Sequence, residues 1–109
     1  MESKTDTNLN RDETMTSATK KNLASSNVPK YLRETILEDP SDYTVRKSIM
    51  GCIKVTFMGE FSDWYFMGRE ISYCDSDIYS PYRVGGYRRG RSFEKLSQAI
   101  AYIANEKSA

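Results

Sequence analysis

The feature that most restricts what this chain can fold into is an alternation of period two that begins at Tyr43. Tyr43, Val45, Ile49, Ile53, Val55 and Phe57 occupy odd positions, while Thr44, Arg46, Ser48, Lys54 and Thr56 occupy even ones. Successive side chains of a strand point to opposite faces, so this run has one apolar face that must be buried against another layer. Lys47 interrupts the apolar set and is placed near a sheet edge. The alternation stays in phase across Gly51, which predicts one long strand bent at that glycine, since glycine inside a strand often marks a bulge.

The rest of the chain supplies partners for that strand. MGEFSD turns the chain near Phe61 or Ser62, and WYFMGREISYC reads as a second strand, with Gly68 as a further bulge. DSDIYSP is a loop ended by proline, and YRVGGYRR is a third strand that kinks or turns at Gly85-Gly86. Ser92 then caps a helix over FEKLSQAIAYIANEK, in which Phe93, Leu96, Ile100 and Ile103 recur at helical spacing and Ala99 widens the stripe. Upstream, VPKYLRETILEDP predicts a short helix from Pro29 to Glu38 with Leu32, Ile36 and Leu37 on one side, ended by Asp39-Pro40. Residues 1–27 are polar and lack aromatics, which predicts a disordered tail ahead of a single domain over 28–109. The fold class expected is therefore α+β: a three-stranded antiparallel sheet with the C-terminal helix packed on one face, a short N-terminal helix and a disordered N-terminal tail.

Residue inventory removes most chemistry. The chain has no histidine and two cysteines, Cys52 and Cys74, too few ligands for a zinc site. A serine or cysteine nucleophile would lack its usual imidazole base, and no strand-turn-helix glycine motif positions another. Asp75 and Asp77 in the DSD loop lack the further ligands of a calcium loop, and GGYRRGRS lacks the lysine and spacing of a phosphate-cradling loop. The expectation is a binding protein rather than an enzyme, with no cofactor and no metal. No apolar run approaches the length needed to span a bilayer, and the first residues lack the apolar core of a secretory signal, so no membrane partner and a cytoplasmic location are expected.

Net charge is only +1, yet its distribution is two-sided. Glu60, Asp63, Glu70, Asp75 and Asp77 are opposed by Arg69 alone, whereas Arg83, Arg88, Arg89, Arg91 and Lys95 are opposed by Glu94. Arginine forks suit phosphates and base edges, and interleaved tyrosines suit base stacking. Arg83, Tyr87, Arg88, Arg89, Arg91 and Lys95 are thus the candidate nucleic-acid surface. The alternative is a protein-binding inhibitor or adaptor that uses Asp63, Tyr65, Tyr73, Asp75, Asp77 and Tyr79, with Trp64 and Phe66 read as core; aromatics on an open sheet face are common interface anchors.

A three-stranded antiparallel sheet followed by one helix, with arginines on the open face, resembles in outline the plant AP2-type domain and the arm-binding domain of phage integrases. The helix-sheet-helix order over Tyr43 to Lys107 also resembles double-stranded-RNA-binding domains. This chain has Phe93 and Glu94 where that family carries its lysine pair.

Overall fold

The computed structural model describes residues 17–85 and 90–108. Two helices, α1 (Ser17–Leu23) and α2 (Lys30–Glu38), precede a sheet of six strands. These are β1 (Tyr43–Lys47), β2 (Ile53–Phe57), β3 (Phe61–Phe66), β4 (Arg69–Tyr73), β5 (Tyr82–Val84) and β6 (Arg91–Phe93). Helix α3 (Leu96–Ser108) closes the domain. The strands lie in sequence order, every neighbouring pair antiparallel.

The first two expected strands are each folded in half and a further strand forms beyond the third, which corrects the three-stranded sheet to six strands. The long strand turns back between Ser48 and Cys52, so that Val45 pairs with Val55 rather than preceding it on the same line. WYFMGREISYC turns back at Met67-Gly68, where Phe66 pairs with Arg69. Of the third segment, Tyr82–Val84 form β5 and residues 86–89 lie outside the described residues; β6 follows at Arg91–Phe93, at the position expected for the helix cap, and pairs with β5. The glycines that a bulge would explain are instead second positions of tight turns.

A Met-Gly pair makes each of the turns at 50–51, 58–59 and 67–68. Met50, Met58 and Met67 have φ of 55°, 56° and 51°, and the glycines after them have φ of 78°, 70° and 78°. Two consecutive residues at positive φ are what a type I′ hairpin turn requires, because its twist matches that of the strands it joins. Glycine fits the second position freely, while methionine in the left-handed region costs roughly 1–2 kcal/mol. The usual first residue is asparagine, aspartate or glycine, and a methionine there hides the turn from a sequence reading.

Two apolar clusters form on opposite faces of the sheet. Paired strand residues share a face, so one face carries Val45, Val55, Ile53 and Tyr65. Leu23, Val28, Leu32 and Ile36 from the α1–α2 region are buried against them. The other face carries Trp64, Ile71 and Val84, and there α3 buries Ala99, Ile100 and Ile103 together with Cys52. The packing of α3 on a sheet face is as expected, but the helix starts at Leu96 rather than after Ser92. Ser92 and Phe93 belong to β6, and Phe93 packs its ring 5.4 Å from Tyr102. The Gln98 side chain accepts a hydrogen bond from the Lys95 N–H at 3.0 Å, capping the helix start.

The polar stretch expected to be a tail over 1–27 carries α1, whose Leu23 is buried; residues 1–16 lie outside the described residues. Arg33 of α2 donates from Nε to the Leu23 carbonyl at 3.0 Å, satisfying a free acceptor at the end of α1. Asn22 donates to the Val45 carbonyl on the outer side of edge strand β1, which blunts that edge. At the turn end of the sheet, Asn27 joins two Met-Gly turns: Nδ2 donates to the Gly51 carbonyl at 2.8 Å and Oδ1 accepts from the Met67 N–H at 2.9 Å. Arg69 and Glu106 form an ion pair that ties the start of β4 to the end of α3. Cys52 is a buried free thiol and Cys74 a half-exposed one. Among the described residues, no helix is long and apolar enough to cross a membrane.

Candidate functional site: an acidic aromatic cleft

The register of the central strands opens a cleft. β2 stays paired with β3 out to Phe57 opposite Phe61, whereas β4 stops pairing with β3 at Asp63 opposite Ser72. The chain then leaves β3: Cys74 donates its N–H to the Pro81 carbonyl at 2.8 Å instead. Among the described residues, no strand pairs with Phe61 and Ser62 on that side. The resulting cleft, of about 590 Å³, is lined by Glu60, Phe61, Ser62, Asp63, Trp64, Tyr73 and Asp75.

Its wall is aromatic and rigid. Trp64 and Tyr82 meet edge to face at 5.5 Å, Tyr73 and Tyr82 at 5.2 Å, and Trp64 and Tyr73 lie 6.3 Å apart. Such pairs fix ring orientation beyond what burial alone gives. Trp64 is buried and Tyr73 is the exposed outer member. On the sheet side of Trp64, the Lys54 ammonium sits 5.5 Å from the ring centroid, so one indole face already accommodates a cation.

Its floor and rim are acidic. Glu60, Asp63 and Asp75 line the cleft, and among the described residues no cation forms an ion pair with any of them. Asp63 is half-buried next to Glu70. Desolvation first, then the Glu70 charge and the hydrogen bond shared with Glu70, push its pKa up to about 6. The same surroundings raise Tyr65, whose hydroxyl donates to Glu70 Oε2 at 3.4 Å, chiefly by burial and then through the Glu70 and Asp63 charges. Tyr31 of α2 is raised for the same reasons, burial first. No group of three or more His, Cys, Asp or Glu side chains among the described residues converges closely enough to hold one metal ion. Carboxylates spread round a cleft in this way suit an extended organic cation better than a point charge.

The residues of the two expected surfaces fare differently. Of the arginine-rich set, Arg83 and Arg91 lie on opposite faces of the sheet, Arg83 opposite Ser72 and Ser92, Arg91 opposite Val84. Arg83 lies 3.9 Å from the Asp77 carboxylate, and Arg91 lies 5.6 Å from the Tyr102 ring. Lys95 is exposed at the start of α3, apart from both in register. Tyr87, Arg88 and Arg89 lie outside the described residues. Of the acidic and aromatic set, the structure brings Asp63, Tyr73 and Asp75 together in the cleft. Tyr65 belongs to the core under α2, and Asp77 closes its own loop by accepting from the Ser80 N–H at 3.0 Å. Tyr79 is exposed on the loop between β4 and β5. Sequence reasoning missed Glu60, Phe61 and Ser62 as cleft residues, because it placed the turn on them rather than on Met58-Gly59.

Compared with family models, curated proteins and solved structures, the chain matches none.

Proposed function

We propose that this chain is a small protein-binding module, an inhibitor or adaptor, that receives a lysine or arginine side chain of its partner in the cleft between β3 and the end of β4. The observation that carries this reading is one open cavity at the edge of β3 lined by Glu60, Asp63 and Asp75, which form no ion pair among the described residues, with Trp64 and Tyr73 reaching it from the sheet face opposite to that of Asp63. Burial of Asp63 beside Glu70 works against its charge, and a cation from outside relieves that directly. Aromatic faces add to cation binding when water is displaced. A nucleic-acid backbone would meet repulsion here, and Arg83 and Arg91 of the arginine-rich stretch lie on opposite faces of the sheet.

The test is an NMR titration with a short lysine- and arginine-containing peptide, run against a single-stranded oligonucleotide of similar length. Peptide-induced shifts should centre on Glu60 to Trp64 and Tyr73 to Asp75 and weaken with salt. The combined variant Glu60→Gln, Asp63→Asn, Asp75→Asn should lose them. Binding of the oligonucleotide with no response to the peptide would reverse the reading in favour of nucleic acid.

A further inference from the structure

We infer that the hairpin between β2 and β3 is the apolar half of the same partner surface, so that the partner presents a large apolar side chain next to its lysine or arginine. This rests on the cleft reading above and narrows the partner to a protein segment of mixed apolar and basic character. Three large side chains project from the hairpin: Phe57 is 39% exposed, Met58 61% and Phe61 60%. Tyr43, Phe57 and Phe61 face one another across three strands, and the Tyr43 and Phe57 rings lie 5.1 Å apart. An apolar row of this kind beside a polar rim is what a protein interface uses as its anchor.

The tip is also held in place. The Met58 N–H donates to the Asp42 carbonyl at 2.8 Å, and Glu60 closes the turn onto Phe57 at 3.1 Å. Met58 occupies a left-handed position that asparagine would adopt with less strain, yet its side chain fills no core. Methionine is flexible and polarisable and suits contact with varied apolar surfaces. Glu60 and Phe61 belong at once to the hairpin and to the cleft lining, so the two halves are continuous. The acids beside the tip, Glu60, Asp63 and Asp75, make it repulsive to an anionic lipid surface and complementary to a basic segment.

The experiment compares two synthetic peptides of equal charge, Leu-Lys-Arg-Leu and Ser-Lys-Arg-Ser, each blocked at both ends, titrated into the full chain. The leucine peptide should bind about tenfold more tightly, and Met58→Asn combined with Phe61→Ser should remove that advantage while the melting temperature stays near that of the parent. Met67→Asn, at the other end of the sheet, should leave both affinities unchanged. Equal affinity of the two peptides, both still lost in the acid-to-amide variant, would overturn the apolar half and leave the cleft reading standing. Failure of both peptides to bind at millimolar concentration would sink both. Concentration-dependent dimerisation abolished by the Met58 and Phe61 changes would replace the partner with a second copy of this chain, and tip-dependent capture by phosphatidylserine vesicles would replace it with a lipid surface; either result refutes the proposal.

Discussion

The two apolar clusters are built from the same kinds of residue and sit on opposite faces of one sheet, yet they are displaced along it. The α1–α2 cluster covers β1 to β3, and the α3 cluster covers β3 to β5. They meet back to back at β3, where consecutive residues Trp64 and Tyr65 enter different cores. A strand that alternates faces can serve both layers, and this is how a small chain buries two sets of large side chains with one sheet. The cleft opens where β4 stops pairing with β3 beyond Asp63 and Ser72.

If β3 couples the clusters, damage to either should unfold both. Ile36→Ala and Ile100→Ala remove fully buried side chains from opposite faces, and each should lower stability by about 2–5 kcal/mol. Denaturant unfolding followed by Trp64 fluorescence and by amide exchange in α2 should give one coincident transition in both variants. Separate melting of α1 and α2 while Trp64 keeps its native signal would break the comparison and make the clusters independent units.

A smaller effect sharpens it. Asn27 links the α1–α2 region to the two turns nearest α3, and Asn27→Ala removes two side-chain hydrogen bonds at an exposed site. The loss should be about 1–2 kcal/mol, with faster amide exchange at Met67. Unchanged exchange there would mean that the turns hold themselves and that coupling runs through β3 alone.

The smallest expected change concerns the cleft. Asp63 has a folded pKa raised from 3.8 to about 6, so the folded state holds its proton more tightly than the unfolded chain does. Its contribution to stability is present in full below 3.8 and is lost as pH rises through about 6. Asp63→Asn should therefore stabilise the domain at pH 7 by about 1 kcal/mol, a value reduced for partial solvent exposure. It should also flatten the melting temperature between pH 4 and 7, roughly the interval between those two values. A melting temperature that falls at pH 7 in this variant would mean that the carboxylate supports the fold. Gain of stability with loss of peptide binding would mark it as a group kept for recognition.

Legibility of the fold varied with the range of the interactions involved. α2 and the stripe Leu96, Ala99, Ile100 and Ile103 could be read directly, because helical spacing and the stop at Asp39-Pro40 are local properties. Val45, Ile53 and Val55 could be assigned to a buried face for the same reason. The halving of the first two strands could not, because Met-Gly shows only its glycine as a turn former and a bulge accounts equally well for that. Placing the turn at Phe61 rather than Met58 then hid three of the cleft residues. The arginine run looked like one surface because its members are close in sequence, but antiparallel pairing sends Arg83 and Arg91 to opposite faces.

By itself the sequence determined the final helix, the apolar face of the first strands and the concentration of acids and aromatics between Glu60 and Asp77. Those depend on periodicity and residue type, which a linear chain displays. Only the tertiary structure decided that the clusters lie on opposite faces, that α1 belongs to the domain, and that Asp63, Tyr73 and Asp75 meet Glu60 across an opening. These depend on register and on where pairing stops. Register is fixed by turns, and a turn held by a methionine at positive φ leaves little trace in the sequence that forms it.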